Sequence, residues 1–157
     1  MAPSESTPSE STTAAERPPT EVVTPEAARP AGYSYAPLDD DLADPGEVSW
    51  AWVTFEEDER RGKDRPVLVV GRDGDRLLAL QLTSRDHDLD AAQEAAEGRF
   101  WVDIGAGAWD RQRRPSEARV NRLLRLDPSV VRRPGVPLDP RIFAEVMSQV
   151  RRYFPAP

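Results

Sequence analysis

The chain contains no cysteine, which excludes disulfides, thiolate nucleophiles and cysteine-built metal sites. It has one histidine, His87, which argues against a zinc site assembled from several imidazoles. Lysine is almost missing as well: of 21 basic residues only Lys63 is a lysine. No run approaches the roughly 18 apolar residues of a membrane-spanning helix. The start, Met1-Ala2-Pro3-Ser4-Glu5, lacks the basic stretch and apolar run of a secretory signal. These absences set the expectation of a cytoplasmic protein with no membrane partner, no metal and no other cofactor.

What is present is unevenly spread. The 157 residues suffice for one domain of ordinary size, and the net charge of -7 belongs to one end. Residues 1–44 carry nine acids and two arginines, whereas residues 99–157 carry twelve arginines and six acids. Residues 1–32 are mostly Pro, Ser, Thr, Glu and Ala, a composition too poor in apolar surface to offset chain entropy. Residues 1–44 are therefore expected to be a disordered acidic tail, and 45–157 the folded domain. Within the tail, Tyr33–Asp44 mixes aromatics, leucines and acids. It reads either as a linker or as a tethered segment that docks on a basic groove, where tethering would raise its effective concentration.

From Glu47 the pattern changes. Glu47–Phe55 is rich in aromatic and β-branched residues, as strands are. Arg65–Gly71 and Leu77–Ser84 read as two more strands, joined at Asp73-Gly74 by a hairpin signal. A three-residue loop with Gly74 left-handed pairs Gly71 with Asp75, sets Arg65 against Gln81 and makes Thr83 its diagonal neighbour on one face. Residues 86–98 read as a loop with a helical turn, Arg99–Ile104 and Ala118–Leu126 as strands, and Asp127–Arg133 as a tight helical turn. Asp139 is a good N-cap and Pro140 suits the first position of a helix. Ile142, Phe143, Val146, Met147, Val150 and Tyr153/Phe154 then recur at helical spacing. The fold class is mostly β, a small barrel-like set of strands closed by one C-terminal helix.

The chemistry converges on Arg65 and Thr83. A guanidinium presents a planar fork of donors that matches a phosphate, and a hydroxyl can donate to a second oxygen. Other readings stay open: Arg65 could pair with Asp64 or Asp86, and Thr83 could be an ordinary strand threonine. His87, between Asp86 and Asp88, reads as a solvated loop side chain and only weakly as a base or metal ligand. Trp50 and Trp52 read as core or interface rather than as stacking platforms for bases. Arg111, Arg113 and Arg114 either grip phosphates or solvate a loop. Against a polyanionic ligand stands the acidic run Glu56-Glu57-Asp58-Glu59.

Taken in order, these segments resemble the PemK/MazF family of toxin ribonucleases of type II toxin–antitoxin systems. The resemblance rests on Pro45-Gly46-Glu47-Val48 with its Trp-rich strand, and on Gly62 followed by Arg65-Pro66-Val67-Leu68-Val69-Val70. Leu82-Thr83-Ser84, Val120–Asp127 and the final helix complete it. It runs from about Pro45 to Phe154, with a nearer likeness to actinobacterial PemK-like proteins that carry a long acidic extension. The resemblance implies an SH3-like barrel, a homodimer, a cognate antitoxin, and metal-independent cleavage of single-stranded RNA by 2′-hydroxyl attack. It places the catalytic pair on Arg65 and Thr83 and substrate binding on Gly62, Lys63, Ser84 and Arg85. Either an external antitoxin or the tail Tyr33–Asp44 would then restrain the site. Because the same fold hosts gyrase poisons, a non-catalytic binder of nucleic acid, DNA included, or of protein is the alternative.

Overall fold

A strand that is buried on both faces needs apolar side chains at nearly every position. The central strands of this chain have them. The computed structural model describes residues 17–26, 32–84, 91–132 and 134–155. Its strands are β1 (Glu21–Val23), β2 (Gly32–Tyr33), β3 (Glu47–Thr54), β4 (Gly62–Asp73), β5 (Arg76–Ser84), β6 (Trp101–Gly105), β7 (Ser116–Arg119), β8 (Leu123–Leu126) and β9 (Val136–Pro137). Two helices, α1 (Ala91–Ala96) and α2 (Pro140–Tyr153), and a 3-10 turn at Pro128–Val130 complete the order. All strand pairings are antiparallel, and the main path of the open sheet runs β1-β8-β5-β4-β3-β9. The protein is mostly β with a C-terminal helix, as its residue pattern predicts.

Alternation along β3, β4 and β5 sends apolar side chains to both faces. One face collects Val48, Leu68, Val70, Leu78, Leu80 and Leu82, and packs on Phe143, Val146, Met147 and Val150 of α2. The other collects Ala51, Val53, Val67, Val69, Leu77 and Ala79, joined by Leu124, Leu126 and Val131. Helix α2 begins where the sequence places it. Asp139 accepts a bond from the backbone N–H of Arg141 at 2.8 Å, and Arg151 and Arg152 sit in the last turn, where cations complement the dipole. Among the described residues no helix is long and apolar enough to cross a membrane.

The β4–β5 hairpin departs from the expected register. Asp73 pairs with Arg76, so the loop is the two residues Gly74-Asp75, not three residues ending at Gly74. Gly74 has φ +64°, and glycine in the first position of a two-residue loop is what a type II′ turn requires. The irregularity lies instead at Val70, where a bulge shifts the register between Val69 and Gly71. Past the bulge, Val67 rather than Arg65 pairs with Gln81. Gly71 follows the bulge for a steric reason: a Cβ there would stand 2.1 Å from the carbonyl oxygen of Gly32.

The expected strand Ala118–Leu126 is two strands. Both pair with the same edge of β5, β7 through Leu82–Ser84 and β8 through Leu77–Ala79, but in different registers. The surplus residues form a turn at Val120–Arg122. Asn121 holds it, accepting from the N–H of Phe100 at 3.2 Å and donating to the carbonyl of Gly98 at 2.7 Å.

The N-terminal segment also differs from its composition. Residues 1–16 and 27–31 lie outside the described residues, but β1 pairs with β8 and β2 with Gly71 and Arg72 of β4. Val23 is 2% exposed, Glu21 bridges Arg76 and Arg125, and Thr20 accepts the backbone N–H of Thr54 at 2.9 Å. Tyr33 donates to the carbonyl of Phe154 at 2.9 Å and Tyr35 to that of Leu138 at 2.7 Å. A few well-placed apolar and ionic side chains thus anchor a segment whose average composition is that of a tail.

Candidate active site

Arg65 enters from β4 and Thr83 leaves along β5. Each lies two residues beyond the Val67–Gln81 pair, so period-two alternation puts both on one side of the sheet. Both line a recess of about 180 Å³, together with Trp50, Lys63, Ser84, Trp109 and Arg114. Its wall is fixed by indoles. Trp50 donates through Nε1 to the carbonyl of Trp109 at 2.7 Å, and Trp109 through Nε1 to Ser116 Oγ at 3.1 Å. These indole N–H groups are committed to the fold. Trp52 is buried too, with the guanidinium of Arg17 stacked 4.9 Å from its ring centre.

Arg65 is half-buried, and its Nε is buried without a hydrogen-bond partner. Burial, then the positive charge of Arg122, holds its proton affinity below that of an ordinary guanidinium, with Glu57 acting the other way. Asp64, the neighbouring carboxylate that could have neutralised it, bonds Arg132 instead. A desolvated cation with an unused donor is a strong receptor for an anion, because the cost of stripping its water is already met in the folded state.

Of the other candidates, Lys63 and Ser84 line the recess, Lys63 being exposed. Gly62 does not line it. A Cβ at Gly62 would meet the carbonyl oxygen of Val53 at 2.5 Å, so its smallness serves the packing of β4 on β3. Arg85, Asp86, His87 and Asp88 lie outside the described residues. Arg114 bonds Asp110 at 2.8 Å at the recess edge, while Arg111 and Arg113 are exposed. None of residues 33–44 lines the recess. Tyr33 and Tyr35 are occupied at the two ends of α2, on the carbonyls of Phe154 and Leu138, and Tyr33 pairs with Gly71 of β4, so of the two readings of this segment the one in which it covers the recess does not hold.

The sequence reading missed a second group beside the recess. Arg119 donates to both oxygens of Glu56, at 2.8 and 3.4 Å. Arg122 reaches Gln81 Oε1 at 3.3 Å and has its Nε 4.0 Å from Glu56. Both arginines are 7% exposed. The hydrogen bond from Arg119 holds the Glu56 carboxyl below the usual range, and burial holds Arg122 down. Arginines inside an apolar β-run were the available signal. The acidic run before Arg65 is less repulsive than it reads, since Glu56 is matched by Arg119 and Asp58 accepts from Arg60.

Residues 44–154 match the family model described as PemK-like, MazF-like toxin of type II toxin–antitoxin system. The chain belongs to this family. Arg65, Thr83, Glu56, Arg119 and Arg122 all fall inside the match, whereas strands β1 and β2 lie before it. A comparison with curated proteins gives no match.

Proposed function

We propose that this PemK-like protein is an endoribonuclease that cleaves single-stranded RNA without a metal ion. The observation that carries this reading is Arg65: a half-buried guanidinium with an unused Nε, facing the same recess as the Thr83 hydroxyl. In such cleavage the ribose 2′-oxygen forms a bond to phosphorus and the 5′-oxygen leaves. The 2′ proton passes to solvent and the leaving oxygen takes one up, so the ends are a 2′,3′-cyclic phosphate and a 5′-hydroxyl. The attack is intramolecular, so holding the nucleotide in line supplies much of the rate. Arg65 binds the non-bridging oxygens as charge builds on them, and Thr83 donates to a second oxygen or orients the 2′-hydroxyl. Arg65 acts as a cation rather than a base, since guanidinium stays protonated. Lys63, Ser84 and Arg85 bind the flanking backbone.

A cognate antitoxin, a homodimer and a cytoplasmic setting complete the proposal, with family membership as their support. The deciding experiment incubates the full chain with end-labelled single-stranded RNA in EDTA. Products ending in a 2′,3′-cyclic phosphate, absent with 2′-O-methyl RNA, support the nuclease. Binding without cleavage of any RNA overturns it in favour of a non-catalytic binder.

A further inference from the structure

The group beside the recess holds more guanidiniums than carboxylates in contact with them, Glu57 and Glu94 acting on it only at longer range. Arg65, Arg122 and Arg119 form a chain in which each guanidinium feels the next; Arg119 and Arg122 are withdrawn from water and Arg65 is half-buried. Among the described residues the ion-pair partner of Arg119 and Arg122 is one carboxylate, Glu56. That partner is the exposed member of the group: its side chain is 53% exposed, against 8% for each arginine. It stands two residues beyond the end of β3, on the segment leading to β4, where a side chain can swing away without disturbing a strand pairing. The two arginines are rigid by comparison. Arg119 is the last residue of β7 and also bonds Asn121, and Arg122 stands at the entry to β8 and bonds Gln81.

Position relates this group to the recess. Thr83 pairs with Glu117, and Arg119 lies two residues further along β7 on the same face. Two residues along a strand and the spacing between strands together put Arg119 about 8–9 Å from Thr83 and about 12 Å from Arg65 at the backbone, on the scale of one to two steps along an extended nucleic-acid strand. A backbone whose scissile phosphate meets Arg65 therefore brings a phosphate one or two steps away toward Arg119 and Arg122. Both nitrogens that Arg119 offers to Glu56 are the fork that a phosphate uses.

We propose that Arg119 and Arg122 form a second phosphate subsite, and that Glu56 is its built-in plug, a carboxylate holding the anion position until the RNA backbone displaces it. The proposal rests on the nuclease reading for its ligand, a phosphodiester, but the plug itself is testable apart from RNA. The exchange is of one anion for another, so no bond is made or broken. Glu56 keeps the two guanidiniums solvated by charge in the free protein and sets a threshold that only a polyanion passes.

The test uses the full chain and Glu56→Gln, which keeps shape and removes charge. Two probes are titrated: a 2′-O-methyl RNA oligonucleotide that cannot be cleaved, followed by fluorescence anisotropy, and inorganic triphosphate, followed by thermal shift. The plug predicts that Glu56→Gln binds both probes at least about fivefold more tightly. It also predicts a steeper salt dependence for the oligonucleotide, by about 0.7 in log–log slope for one further phosphate engaged. Adding Arg119→Gln to Glu56→Gln abolishes the gain. Equal or weaker binding of both probes by folded Glu56→Gln overturns the plug, even if RNA is cleaved normally. Tighter triphosphate binding with no RNA binding by either protein keeps the plug and removes the nuclease reading. If Glu56→Gln does not fold, Glu56→Asp replaces it. Its shorter carboxylate reaches Arg119 less well, so tighter triphosphate binding supports the plug and unchanged binding overturns it.

Discussion

Arg65 and Thr83 come from neighbouring strands, each two residues past the Val67–Gln81 pair, and line one recess between them. The pair shares a face because a bulge at Val70 resets the register of a two-residue hairpin. Neither side chain is needed to close the core, whose buried apolar members lie elsewhere.

Substitution should therefore separate activity from folding. Arg65→Ala and Thr83→Ala are each expected to lower single-turnover cleavage by about 10²–10³-fold, with thermal melting close to that of the parent. Arg65→Lys keeps the charge and loses the fork, so it should recover only part of the rate. Cleavage unchanged in Arg65→Ala would remove the residue from the mechanism.

Acid should unfold the protein through its paired carboxylates, and Glu21 offers the clearest case. Its hydrogen bond with Arg125, followed by that with Arg76, holds its carboxyl below the ordinary value of 4.5. A carboxyl depressed in the folded state stabilises fully above its unfolded value and loses that contribution as pH falls through the folded one. Glu21→Gln should thus lower the urea midpoint at pH 7 and narrow its gap from the parent as pH drops from about 5 to 3. Asp44, whose carboxyl burial pushes up, opposes the trend, because it gains a proton more readily in the folded state. A gap that stays constant with pH would show that Glu21 acts through shape alone.

Strand β1 should contribute to stability although it lies before the family match. Removing residues 1–26 takes away buried Val23, the Glu21 bridges and the stacking of Arg17 on Trp52. The truncated protein is expected to melt lower and to show altered tryptophan fluorescence. A single Val23→Asp in the full chain should reproduce most of the loss, since it buries an unpaired charge. Melting unaffected by either change would make β1 a passive attachment.

In the core, Leu80 is fully buried between α2 and the sheet. Leu80→Ala should cost about 2–5 kcal/mol in denaturant unfolding, while Leu38→Ala, at a position 60% exposed, should cost little. Equal effects would contradict the packing described.

Strand periodicity made β3, β4 and β5 legible, and Asp139-Pro140 made α2 legible, because each pattern reflects contacts within a few residues. Arg65 and Thr83 share the expected face by another route, since the bulge at Val70 does what a three-residue loop was expected to do. The turn at Val120–Arg122 was not legible, because it follows from two strands sharing one edge of β5, which no local run encodes. The Glu56–Arg119 pair joins residues 63 apart in sequence and was hidden likewise. Strand β1 escaped notice because three residues decide it: Glu21 and Val23 on β8, and Thr20 on Thr54.

The hydrogen bond from Tyr33 to the carbonyl of Phe154 closes a separation of 121 residues. On a ribosome adding about 5–20 residues per second, Tyr33 emerges many seconds before its acceptor is made. Strand β2 has its partner early, in β4, but the latch onto α2 waits for the last residues of the domain. A nascent chain therefore carries Arg65 and Thr83 before the fold that holds them is finished, and the two ends of the domain meet only once α2 has been made.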